Sequence, residues 1–128
     1  MKITKPTKAP SLKRLRSKAD GLWQQAGMKK WGSKCFCGKE AYCCHHYFPK
    51  GQYGHLRYDL DNAVPICLGD HFAIHTKHDT GIIMSIRTKR GEEWFKELNK
   101  KAQQTPSSYK SVGYYKKKIA EFEEYLEL

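Results

Sequence analysis

Residues 41–75 read AYCCHHYFPKGQYGHLRYDLDNAVPICLGDHFAIH and hold five of the six histidines and three of the five cysteines. His45 and His46 are adjacent, Asn62 follows His46 by sixteen residues, and His71 and His75 lie nine and thirteen beyond Asn62. The aromatic and cysteine-rich run Tyr42 to Phe48 predicts a short strand, ended by Pro49. Residues 49–61 carry two glycines, a proline and mixed polar groups, which predicts a loop with a second short strand near Leu56 to Tyr58. Residues 62–68 then lead into a helix starting near Gly69 and ended by Gly81. Cys67, His71 and His75 are four apart, hence on one face of that helix, and Asp70 sits in its first turn, where the helix dipole favours a carboxylate.

Working outward, residues 1–10 place Pro6 and Pro10 among lysines and predict a flexible basic arm. Ser11 is a candidate cap for a helix whose apolar residues Leu12, Leu15, Ala19, Leu22, Trp23 and Ala26 recur at helical spacing, with Gly27 as its stop. Lys13, Arg14, Arg16 and Lys18 cover much of its other surface. After the central stretch, Ile82, Ile83 and Ile86 predict a short helix closed by Lys89, Arg90 and Gly91. A stronger one follows from Glu92 to about Ala102, with Trp94, Phe95 and Leu98 inward. Residues 103–108 (QQTPSS) form a linker, and a last helix is expected from about Tyr109 to Leu128. Its lysines precede its glutamates, against the macrodipole preference, so packing must hold it.

The chain has 128 residues, which suits one domain: residues 11–128 after the arm, with a core at about 35–78 and C-terminal helices at about 82–128. Its net charge is +11, and residues 1–34 carry ten Lys and Arg against a single acid, Asp20. A basic end on a nearly neutral body is the footprint of a phosphate-backbone binder. Few bulky apolar anchors precede Leu12, which disfavours a membrane surface as the partner. No apolar run is long enough to span a bilayer and the N-terminus lacks the apolar centre of a signal peptide, so a cytoplasmic location is expected. An odd number of cysteines beside histidines favours metal ligation over a disulfide framework.

Neutral imidazole is the commonest metal ligand, and His71 and His75, one helical turn apart, can share an ion. On a strand, His45 and His46 point to opposite faces, so one of them can complete the ligand set while the other remains free to act as a base. That combination suits hydrolysis of a phosphodiester.

The order HH, then N, then H-x3-H resembles the HNH nucleases, the ββα-metal or His-Me finger superfamily. It is similar above all to the colicin-type DNases in its adjacent His pair, in the run Tyr58-Asp59-Leu60-Asp61-Asn62 and in the closing H-x3-H. The resemblance covers roughly residues 35–78. It implies an α+β fold, a small ββα-metal core with added N- and C-terminal helices, and a one-metal DNA endonuclease. It implies that His46 is the general base and that Asn62 braces the loop and keeps the base oriented. It also implies that His45, His71 and His75 hold a divalent ion (Mg, Mn, Ni or Zn). Arg57, five residues before Asn62, is a candidate phosphate contact, together with Lys50 and with Lys13, Arg14 and Arg16 of the first helix.

Many HNH proteins also carry a structural zinc between two C-x2-C knuckles. The counterparts here depart from that pattern: Cys35-x-Cys37 is one residue short, and Cys67-x2-Asp70 ends in a carboxylate. Cys35, Cys37, Cys67 and Asp70 remain a candidate zinc set, with Cys43 or Cys44 as substitutes. The Leu56-Arg57-Tyr58 stretch before Asn62, a short helix, Gly-Glu-Glu-Trp-Phe-Lys-Glu-Leu at 91–98 and a basic C-terminal helix are loosely similar to phage NinG-type recombination nucleases, which implies branched or nicked DNA as substrate. The His-rich metal set departs from that more Cys-based group. The alternative is a non-catalytic zinc-binding module for nucleic acid, with Cys35, Cys37, His71 and His75 closing a tetrahedral site. It gives no reason for the adjacent His pair and Asn62.

Overall fold

The computed structural model describes residues 11–104 and 109–128. The expected flexible arm, residues 1–10, lies outside the described residues, as does most of the expected linker. The described chain is α+β: five α-helices and a two-stranded antiparallel ribbon. Among the described residues no helix is long and apolar enough to cross a membrane.

Helix α1 spans Leu12–Trp31, with the Ser11 side chain accepting from the Arg14 N–H at 3.2 Å. It runs a full turn past Gly27, the expected stop, and ends at Gly32, whose φ of 85° suits glycine. Gly27 has a different task. A Cβ there would lie 2.7 Å from Cys44 Sγ and 3.0 Å from Ala63 Cβ, so its bare backbone lets the helix approach the ribbon closely.

The ribbon pairs β1 (Cys43–His46) with β2 (Ala63–Ile66), setting His45 opposite Val64 and His46 opposite Ala63. The second strand is thus not near Leu56 to Tyr58, where residues Gly54–Leu56 form a 3-10 turn instead. Leu56 and Tyr58 are buried by packing. The real strand contains Pro65, which a sequence reading takes as a breaker because it lacks an N–H. Pro65 faces Cys44, whose main chain is served elsewhere: the Gln24 side chain accepts from the Cys44 N–H at 2.6 Å and donates to its carbonyl at 3.0 Å. A side-chain amide from α1 therefore stands where a third strand would be.

Helix α2 spans Leu68–Lys77 and stops at His78, which takes the left-handed conformation (φ 49°). Asp79 then caps α3, Thr80–Arg90, so Gly81 lies inside α3 and does not end α2. Helix α4 (Glu92–Ala102) matches its expected range. Helix α5 spans Val112–Glu127, starting later than Tyr109 because the Ser111 hydroxyl caps it by accepting from the Tyr114 N–H at 3.1 Å.

The ribbon lies between two helical layers. On one side Leu15, Ala19, Trp23 and Ala26 of α1 pack with Tyr115, Ile119 and Phe122 of α5 and with Cys44 and Ala63. On the other, Val64 and Tyr47 pack with Ile86 of α3 and Leu98 and Ala102 of α4. This apolar seam holds α5 in place despite its charge order.

All three tryptophans do more than fill these layers. Their indole N–H groups donate to three successive carbonyls: Trp23 to Asp59 (3.1 Å), Trp31 to Leu60 (2.8 Å) and Trp94 to Asp61 (2.9 Å). Lys30 and Lys101 add ion pairs to Asp61 at 3.0 and 3.1 Å. The turn leading into Asn62 is clamped from α1 and α4 together, in agreement with the need of a buried indole for a polar partner.

Candidate metal centres and the adjoining cleft

Alternation along β1 sends its side chains to two faces. Cys43 and His45 turn toward α2, whereas Cys44 and His46 turn toward α1. His45 thereby meets His71 and His75, with ring centroids 5.5 and 5.4 Å away. The last two, one turn apart on α2, bring their Nε2 atoms to 2.9 Å. One nitrogen from each of the three rings falls within 4.8 Å of the others.

The donor chemistry fits a divalent ion. Burial, reinforced by the neighbouring imidazoles, pushes His45 down to about 3, and burial also lowers His71. Both rings are therefore neutral at ordinary pH and keep a lone pair for a metal. His71 Nδ1 lies 3.6 Å from Cys43 Sγ, an outward contact that leaves Nε2 facing the other imidazoles.

A second group stands at the N-terminal end of α2. The tight turn Cys35 to Gly38, closed by the Gly38 N–H donating to the Cys35 carbonyl at 2.9 Å and by a φ of 92° at Gly38, presents two thiols. Cys67, the N-cap of α2, and Asp70 supply the other donors, and the Cys67 sulfur accepts from the Asp70 N–H at 3.5 Å. Cys37 and Cys67 sulfurs are 3.8 Å apart, and Cys35 Sγ lies 3.3 Å from Asp70 Oδ2. A tetrahedral zinc with Zn–S near 2.3 Å has edges of about 3.8 Å between sulfurs, and a disulfide would need about 2.05 Å. All five cysteines are free thiols. Burial pushes Cys35 up to about 12, so without an ion it stays protonated and donates to Asp70. Cys43 and Cys44 are not among the converging ligand atoms: Cys43 packs beside Cys35 and Cys67 with its sulfur at His71, and Cys44 lies against Gln24.

His46 belongs to neither group. Its ring lies flat on Trp23, with centroids 3.9 Å apart and planes 4° from parallel. Nε2 is 3.0 Å from the Arg57 carbonyl. Burial pushes His46 down to about 4, so the ring is neutral, and because a carbonyl only accepts, Nε2 carries the proton and Nδ1 carries the lone pair. Trp23 and the Arg57 carbonyl thus fix both the plane and the tautomer. Neither role is legible in the sequence: Arg57 is expected to meet phosphate through its side chain and Trp23 to fill an apolar helix face, and neither expectation points to His46.

Asn62 is wholly buried, and every polar atom of its side chain is used. Oδ1 accepts from the Phe48 N–H at 2.7 Å, and Nδ2 donates to the Phe48 and Leu56 carbonyls at 3.0 and 3.3 Å. One amide therefore pins both ends of the loop that follows His46 and delivers the Arg57 carbonyl.

His45, His46, His71, His75 and Lys50 line one open cleft of about 550 Å³. The Arg57 guanidinium is engaged by a two-pronged pair with Asp20 at 2.8 and 2.7 Å. Lys13, Arg14 and Arg16 are exposed on α1. His55 faces the Lys101 and Ala102 carbonyls from 3.1 and 3.2 Å, at the end of α4, while His78 is exposed. Comparison of the chain with protein families, curated proteins and solved structures gives no significant match.

Proposed function

We propose that the chain is a metal-dependent DNA endonuclease of the HNH type, hydrolysing phosphodiester bonds with one catalytic ion. The observation that carries this reading is the division of labour within the adjacent pair. His45 joins His71 and His75, while His46, on the opposite face of the same strand, is held neutral with its Nδ1 lone pair unclaimed by Arg57. A closed structural zinc site has no use for a fixed, uncommitted base beside it.

In this reading His46 Nδ1 takes the proton of the attacking water. Stacking on Trp23 and donation to the Arg57 carbonyl hold that nitrogen in place, and the carbonyl also favours the imidazolium formed on proton transfer. Asn62 acts as a positioning residue, keeping the loop that carries that carbonyl in register. His45, His71 and His75 hold the ion, which when bound supplies electrostatic stabilisation of the scissile phosphate and the departing 3′ oxygen. Cys35, Cys37, Cys67 and Asp70 hold a structural zinc in the same ββα-metal core. Lys50 and the basic face of α1 draw in the phosphate backbone, a contact that positions without reading sequence.

The test is a plasmid-nicking assay with wild type and His46→Ala, with EDTA and with added Mg, Mn, Ni or Zn. Cleavage by wild type should need an ion, and His46→Ala should lose at least about a hundredfold of it while keeping metal stoichiometry and DNA affinity. DNA binding and tight zinc without cleavage under any ion would replace the nuclease by a nucleic-acid-binding module.

A further inference from the structure

The cleft that holds His46 does not end at its rim. Lys50 and Gly51 also line a second hollow of about 260 Å³, together with Tyr58, Tyr115 and, just before α5, Tyr109 and Lys110. Tyr109 lies across the backbone at Gly54, where a Cβ would come within 2.8 Å of its ring. Glycine at 54 is thus what lets an aromatic plane seat beside the loop that Asn62 braces. Among the described residues neither Lys50 nor Lys110 pairs with a carboxylate. Lys110 Nζ stands 5.4 Å from the Tyr109 ring centre. Beyond Tyr115 comes Arg16 of α1, whose guanidinium lies 6.0 Å from that ring. Cations and aromatic rings therefore follow one another from the His46 cleft to the basic face of α1, with Tyr58 and Tyr115 belonging to the core and Tyr109 lying outside it.

We infer that this hollow is a nucleotide subsite: it takes one unpaired nucleotide flanking the scissile phosphate, with its base against Tyr109 and its phosphate between Lys50 and Lys110. The inference rests on the nuclease reading for its neighbour. Its ligand is a single strand for two reasons. A ring wedged beside a loop offers a π-face, which only an unstacked base can meet, and stacking of this kind tolerates any base. A duplex, with its bases already stacked, presents no base plane to Tyr109, whose own aromatic neighbour, His55, meets it edge-on at 6.1 Å between ring centres. The subsite therefore selects junctions where paired DNA gives way to a single strand.

The experiment measures affinity by fluorescence anisotropy with metal-loaded protein, every chain, the wild-type reference included, carrying His46→Ala so that the ions stay bound and no cleavage intervenes. The probes are two labelled DNA duplexes of equal length, one blunt and one with a short single-stranded flank. Wild type should prefer the flanked probe by about tenfold, from one stacked base. Tyr109→Leu should lose that preference, and Tyr109→Phe should retain it. Lys110→Gln should weaken the flanked probe more than the blunt one. Equal affinity of wild type for both probes, or an undiminished preference in Tyr109→Leu, would overturn the subsite and leave the nuclease reading intact. Failure of wild type to bind either probe would remove both. Thermal melting of each variant, unchanged from wild type, separates loss of stacking from loss of fold.

Discussion

Asn62 shows how much a single buried amide can organise. Its oxygen and nitrogen bond to main-chain groups of Phe48 and Leu56, with no solvent to replace them. Changing it to Asp leaves the Phe48 N–H satisfied but turns the second oxygen against two carbonyls. Asn62→Asp should therefore destabilise the protein by about 3 kcal/mol or more, read as a lowered urea midpoint. It should also cost cleavage, because the Arg57 carbonyl rides on the same loop. A midpoint within error of wild type would mean that the loop does not depend on Asn62. Neighbouring His46 and His45 follow from the same geometry. They are adjacent in sequence, yet one faces α1 and the other α2, because strand side chains alternate.

At the scale of elements, α2 is the unusual one: none of its residues is buried. Leu68 and Phe72 are each 59% exposed, so apolar packing contributes little to holding it. In the reading proposed above, what ties it down are the ions held by two candidate ligand groups, Cys67 and Asp70 at its start and His71 and His75 further on. Metal binding is then folding free energy for this helix. Removal of metal should raise amide hydrogen exchange across Leu68–Lys77 by tenfold or more while α1 and α5, joined by a buried apolar seam, keep their protection. Exchange in α2 indifferent to chelation would show that the helix is held by other contacts.

For the whole molecule, charge is the organising quantity. Ten of the 24 basic residues fall in the first 34 positions, and the helix within that segment presents Lys13, Arg14 and Arg16 outward. Deleting residues 1–10 removes Lys2, Lys5 and Lys8. If each neutralises a phosphate, the slope of log affinity against log salt should flatten by up to about 2.7, at 0.9 per phosphate. An unchanged slope would make the arm a bystander in DNA binding.

The resemblance to HNH nucleases implied the α+β class and the grouping of Cys35, Cys37, Cys67 and Asp70, and residue types and spacing determined the helical pairing of His71 with His75 and the range of the strongly amphipathic helix α4. These depend on local periodicity and ligand chemistry, which a linear chain carries in full. The second strand was not legible, because Pro65 reads as a breaker until it is seen to face Cys44, whose main-chain groups bond to Gln24, forty-one residues before Pro65, and ask no N–H of it. Nor was the break between α2 and α3, which a left-handed histidine and an aspartate cap supply in place of a glycine. The resemblance points to His46, but what holds that ring neutral and in one tautomer was not legible, because it depended on Trp23 and the Arg57 carbonyl. The three indole bonds to Asp59, Leu60 and Asp61 were equally invisible. Every buried polar group must find a partner, and that partner is chosen in space. Tertiary structure alone decided those pairings.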